Sequence, residues 1–127
     1  MLYLYCRKTE HIVKPKQKGK VREMMKDYLS VSVEQMINDR GNGAMNQFVI
    51  HDGNALIFQS YSSLIAVVDY DTNEITLGED WDYSVTTGKH RNIFFRDYAN
   101  ISDLATKKGI EKALKNGICG RWKVKTA

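Results

Sequence analysis

Residues 47–77 read QFVIHDGNALIFQSYSSLIAVVDYDTNEITL, and the fold follows from how that stretch divides. Gln47 to His51 is a short strand, Asp52-Gly53 is a two-residue turn signal of the kind that closes tight hairpins, and Ala55 to Tyr61 is the return strand. Ser62 and Ser63 mark the next reversal. Leu64-Ile65-Ala66-Val67-Val68 has no polar break and reads as a buried central strand. Asp71-Thr72-Asn73 turns the chain again, into Glu74-Ile75-Thr76-Leu77, where Ile75 and Leu77 share one face and Glu74 and Thr76 the other. Gly78 ends the run. A four-stranded antiparallel meander is expected.

Toward the N-terminus, Met1 to Lys8 alternates loosely, and its Leu and Tyr residues favour a strand. His11 to Gly19, with Pro15 and its lysines, is expected to be a loop. Val21, Met24, Met25, Tyr28, Leu29, Val33, Met36 and Ile37 then recur at spacings of three and four, an amphipathic helix of about five turns closed by Gly41 and Gly43. Its methionines either fill the gap between helix and sheet or offer an adaptable surface. Beyond the meander, Ser84 or Thr86 caps a helix running to about Tyr98. Ser102 or Thr106 caps a shorter one through Ile110, Ala113 and Leu114 to Gly117, and Ile118 to Val124 is a last strand. The expected class is α+β: an antiparallel β-meander sheet packed by one long N-terminal helix and two shorter C-terminal helices, in a single domain spanning residues 1–127.

The composition fits a folded chain, with 27% charged and 10% aromatic residues and a single proline. No apolar run approaches the roughly 20 residues that cross a bilayer, and the first residues alternate too soon to form a signal-peptide core. Cys6 and Cys119, one near each end, do not make a disulfide framework. Reduced thiols in a bacterial cytoplasm, with no membrane partner, are the expectation.

A net charge of +4 conceals strong segregation. Basic residues crowd the N-terminal region (Lys14, Lys16, Lys18, Lys20 and Arg22) and the C-terminal region (Lys107, Lys108, Lys112, Lys115, Arg121 and Lys123). Between them lies an acidic hairpin holding Asp69, Asp71, Glu74, Glu79, Asp80 and Asp82. If the basic ends share a face they form a patch for phosphates or an acidic protein surface; otherwise they only keep the molecule in solution. Tyr3, Tyr5, Tyr61 and Tyr70 could supply stacking rings for bases.

Reactive chemistry finds little footing. His11, His51, His90, Cys6 and Cys119 are the soft ligands, and no pair has the close spacing of a zinc site, so neither metal nor cofactor is expected. Asp80/Asp82 and Asp69/Asp71 are read as solvated turn charges rather than an acid–base pair. Ser84, Thr86, Thr87, Lys89, His90 and Arg91 gather at the start of a helix, where hydroxyls, free amides and cations could hold a phosphate or carboxylate. The local alternative is that Ser84 and the threonines simply cap the helix, with His90 bonded to the acidic corner.

Phe58-Gln59-Ser60-Tyr61, then Leu64-Ile65-Ala66, then Trp81-Asp82-Tyr83-Ser84-Val85-Thr86-Thr87-Gly88-Lys89-His90 resembles a pattern in small phage and mobile-element proteins, in which a SYxSxIA strand pair precedes a YSxTTxxH helix start. The likeness covers residues 58–95 and implies a phage or prophage origin and a hairpin-then-helix module, but no activity. Gly88 departs from the Ser or Arg that many such proteins carry there.

Together these features favour a non-enzymatic phage accessory protein that binds a host protein or ribonucleoprotein and inhibits or redirects it. An anti-CRISPR-like inhibitor of host defence is the concrete version. The alternative is a nucleic-acid-binding regulator that uses the basic regions. A monomer or a homodimer suits either.

Overall fold

In Val31-Ser32-Val33-Glu34-Gln35-Met36-Ile37, β-branched and polar residues alternate over the first four positions, and three of the seven residues are β-branched, a composition that suits a strand. In the computed structural model, which describes residues 31–127, this segment is strand β1 (Val31–Ile37). After it come β2 (Gly43–Asp52), β3 (Ala55–Ser60), β4 (Ser63–Asp69) and β5 (Glu74–Leu77). Helix α1 (Val85–Ile93) continues into a π-helical turn (Phe94–Tyr98), and a 3₁₀ turn (Ser102–Leu104) leads to α2 (Lys107–Asn116). Strands β6 (Ile118–Cys119) and β7 (Trp122–Thr126) finish the chain. No helix among the described residues is long and apolar enough to cross a membrane.

The expected fold class does not hold. The strands form one seven-stranded mixed sheet in the order β1-β2-β3-β4-β5-β7-β6, and the expected antiparallel β-meander packed by a long N-terminal helix is not its architecture. Residues 31–37, assigned by spacing to the end of that helix, are β1; residues 21–30 lie outside the described residues. Spacings of three and four among Val33, Met36 and Ile37 were helical only on paper. In the strand Met36 is fully buried, while Val33 and Ile37 remain 52% and 46% exposed. Pairing with the edge of β2 overrides a weak local preference. The sheet is mixed because the chain crosses over through α1 and α2 after β5. β7 then returns parallel to β5, with Glu74 opposite Lys123 and Leu77 opposite Thr126.

Turn chemistry explains the hairpins. Gly53 takes φ +57° between Asp52 and Ala55, and Asn73 takes φ +56° before β5. The Asp69 carboxylate accepts the Asp71 and Thr72 amides, shaping the β4–β5 turn. Ser84 caps α1 by accepting the Thr87 amide at 3.1 Å, and Thr106 caps α2 by accepting the Gly109 amide at 3.1 Å.

One face of the sheet meets the helices. Val49, Phe58, Ile65, Ala66, Val68, Ile75 and Leu77 pack with Ile93, Phe94, Phe95, Leu104, Ile110 and Ala113. Three consecutive residues, Ile93 to Phe95, are buried to 1% or less. Two of the three, Phe94 and Phe95, open the π-helical turn. Phe58 stacks on Phe94 at 5.6 Å. Tyr98 at the end of that turn accepts the Ile37 amide at 2.9 Å, tying the helical layer to β1.

Candidate functional site

The β3–β4 turn reverses the chain in two residues. Ser60 pairs with Gln47 on one side and with Ser63 on the other, leaving Tyr61 and Ser62 to reverse the chain. Tyr61 does so with φ +54°, a left-handed conformation that an aromatic residue enters at a cost of about 1–2 kcal/mol. Asn46, also left-handed at φ +62°, accepts the Tyr61 amide at 2.7 Å. This pair of unusual residues locks the turn and swings the Tyr61 ring outward, where it is 62% exposed.

Next to this turn lies the start of α1. Gly78 bonds back to the Ile65 carbonyl at 2.9 Å, and the segment after it returns beside β4. Ser63 Oγ there donates to the Asp80 carboxylate at 3.0 Å. The result is a cleft of about 480 Å³ lined by Gln47, Ser60, Tyr61, Ser63 and Ile65 from the sheet and by Asp80, Tyr83, Ser84, Thr86 and Thr87 from the helix side. Tyr83, 77% exposed, forms part of the lining with Tyr61. Gln47 is only 2% exposed; its Nε2 donates weakly to the Met45 carbonyl at 3.5 Å, and Oε1 is buried with no partner. Hydroxyls dominate the lining, one carboxylate joins them, and no described lining residue is cationic.

The helix-start candidates divide between two grooves. Thr86 and Thr87 line the cleft, Lys89 and Arg91 line a second groove with Asp82, Asn92 and Lys107, and Ser84 borders both. Arg91 is 2% exposed. Its guanidinium donates to the Trp81 carbonyl at 2.9 Å and to Asn92 at 3.1 Å, reaches Asp82 at 3.5 Å, and lies over the Trp81 ring at 5.3 Å. Burial pulls its pKa down, and Asp82 opposes the shift. Lys107 bridges Asp82 at 2.8 Å and holds its carboxyl below the ordinary range, with Arg91 adding to the effect. His90 is half-buried. Thr86 and Thr87 therefore do not share a groove with the cations, and Ser84 is the one hydroxyl that does.

Burial, reinforced by the Lys89 charge and opposed by the Thr86 carbonyl, lowers the His90 pKa from 6.5. A depressed histidine favours the neutral form in the fold. Its contribution is complete above the ordinary imidazole pKa and is lost as pH falls through the lowered value. The thermal midpoint should fall between ~pH 7 and ~pH 5, and His90→Gln should flatten that dependence. An identical pH profile for the variant would assign the slope to other groups.

Folding also brings opposite charges together. Because β5 and β7 are neighbours, Lys125 reaches Glu74 at 3.1 Å, and Lys107 reaches Asp82 as described. Asp69 shapes its own turn, Asp71 accepts Asn54 Nδ2 of the β2–β3 turn at 2.8 Å, and Glu79 is exposed. Arg121 lies over the Trp122 ring at 4.7 Å. Lys108, Lys112 and Lys115 form an exposed stripe on α2, and Lys123 is exposed on β7. Lys14, Lys16, Lys18, Lys20 and Arg22, together with Cys6, lie outside the described residues. Burial raises the Cys119 thiol pKa, with Asp103 adding to it. No cluster of metal-ligating side chains occurs among the described residues.

Sequence reasoning quoted Ser60, Tyr61, Ser63 and Tyr83 as text but did not unite them, and it passed over Gln47. A pairing register was the missing signal, since only register sets Gln47 beside Ser60. The profile of a family of unknown function, DUF8033, matches residues 31–112, a span that contains every described residue of the cleft. No curated protein and no solved structure matches the chain.

Proposed function

The chain belongs to the DUF8033 family, and from that premise we propose that it is a non-enzymatic binding protein whose recognition surface is the cleft between the β3–β4 turn and the start of α1. The observation that carries this reading is spatial. Ser60, Tyr61 and Ser63 from one segment of phage-like text and Tyr83, Ser84, Thr86 and Thr87 from the other are separated by about twenty residues of chain yet line one cavity. Strained residues persist where the surrounding structure over-determines them, and they cluster at binding sites. Tyr61 is such a residue, with its ring turned to solvent. In this reading the protein acts in the cytoplasm of a bacterial host, engages a host protein or ribonucleoprotein such as a defence complex, and inhibits or redirects it.

The test uses Tyr61→Gly. Glycine relieves the left-handed strain but raises the entropy of the unfolded chain, so the thermal midpoint should stay level or rise, by up to ~1 kcal/mol in stability. Stoichiometric capture of a host component by the native chain, lost in Tyr61→Gly, is the expected result. Equal capture by both proteins would move recognition elsewhere on the molecule.

The exposed stripe of Lys108, Lys112 and Lys115 supports a second reading, nucleic-acid binding through α2. That reading requires affinity that falls steeply with salt and drops when the stripe is changed to glutamine.

A further inference from the structure

We infer that the cleft receives the guanidinium group of an arginine side chain presented by a partner protein, a refinement that rests on the cleft being the recognition surface. The first argument is the formal charge of its lining. Asp80 is the single charged group among the described lining residues; Ser63 occupies Oδ2, and Oδ1 accepts no hydrogen bond from the described residues. Gln47, another lining residue, turns Nε2 to the Met45 carbonyl and keeps a buried Oε1 without a partner. An unpaired buried acceptor is costly, and a nearby cation compensates it without displacing anything.

The second argument is shape. Tyr61 and Tyr83 offer exposed rings at the same cleft, and a guanidinium is planar, weakly hydrated and stacks on aromatic faces, which a compact ammonium does less well. The surrounding hydroxyls of Ser60, Ser84 and Thr86 can accept its remaining N–H groups. A nucleotide meets the opposite situation. Its base could stack and the open amides at the start of α1 could meet its phosphate, but Asp80 would oppose that phosphate with no described cation in the lining to offset it.

The experiment is a titration of the isotope-labelled full chain with four probes: an uncharged-ended tripeptide Gly-Arg-Gly, the same peptide with citrulline for arginine, agmatine, and adenosine monophosphate. Saturable shifts of the Gln47 side-chain amide and of the Tyr61 and Tyr83 rings are expected with the arginine peptide. The citrulline peptide should bind at least ~10-fold more weakly, the difference between a charge-assisted and a neutral hydrogen bond. Asp80→Asn, which preserves an acceptor for Ser63, should abolish that discrimination. Equal binding of arginine and citrulline peptides overturns the charge argument, and stronger shifts with the nucleotide overturn the ligand class. Agmatine binding as tightly as the peptide overturns the assignment to a partner's side chain. Host capture that depends on Tyr61 with no response to any arginine probe overturns the guanidinium and leaves the recognition surface standing.

Discussion

Arg91→Ala is expected to destabilise the protein by about 3 kcal/mol and to lower its thermal midpoint by roughly 10 °C or more. The side chain is 2% exposed, and its guanidinium is the hub that holds the corner between β5 and α1. Truncation strands the Trp81 carbonyl, which accepts at 2.9 Å, and removes the cation over the Trp81 ring. Asp82 keeps Lys107 at 2.8 Å, so one carboxylate is weakened rather than orphaned. For that reason the loss belongs at the lower end of the range for a broken buried pair. A second variant separates charge from volume. Arg91→Met fills the space without a cation whose Nε is buried and unpartnered, and it should cost about half as much as Arg91→Ala. Denaturant unfolding of both proteins checks the order; equal losses would mean that packing plays no part. Because the same corner carries Asp80 and Tyr83, the alanine variant should also blur the cleft.

The parts of this molecule that were legible in the sequence are those encoded within a few residues. Turns at Gly53 and Asn73 and caps at Ser84 and Thr106 are local chemistry, and each stands close to where the residues put it. β1 departs from the helical spacing because Met36 alone is buried while Val33 and Ile37 lie on the opposite face, and its state is decided by an edge of β2 that no local pattern reveals. The parallel pairing of β7 with β5 likewise arises only after α1 and α2 have crossed the sheet. That pairing changes the charge argument as well. The acidic and basic stretches that are segregated along the chain touch in space, at Glu74–Lys125 and at Asp82–Lys107, so part of the expected dipole is spent inside the fold. The cleft was hidden for a related reason. Gln47, Ser60, Ser63 and Asp80 become a site only when register and crossover set three separate segments side by side. Arg91 was a candidate ligand in the sequence and is a structural clamp in the fold, a change decided by its burial.

Two glycine-to-alanine changes should have opposite signs, and the larger effect is at Gly78. A Cβ on Gly78 would lie 1.8 Å from the Leu64 carbonyl oxygen and 2.9 Å from its carbon. Both are backbone atoms of β4, so no side chain can rotate away. Alanine would ordinarily gain about 0.4–1 kcal/mol by restricting the unfolded chain. Separating two backbone segments that meet this closely costs more, about 3 kcal/mol or above, since the Gly78–Ile65 hydrogen bond at 2.9 Å must break or lengthen. The displacement also acts on the site, because Leu64 follows Ser63 and Asp80 follows Gly78 by two residues. Moving one segment from the other opens the Ser63–Asp80 bond that joins the walls of the cleft. Gly88 provides the contrast. It lies within α1, and a Cβ there would meet only Arg91 side-chain atoms at 3.5 Å or beyond, ordinary contact. Gly88→Ala should therefore stabilise by up to ~1 kcal/mol through helix propensity. Equilibrium unfolding of the two variants, with the arginine-peptide titration repeated on each, gives the comparison. A Gly78→Ala protein as stable as the native chain would mean that the β4–Gly78 approach is not what builds the cleft.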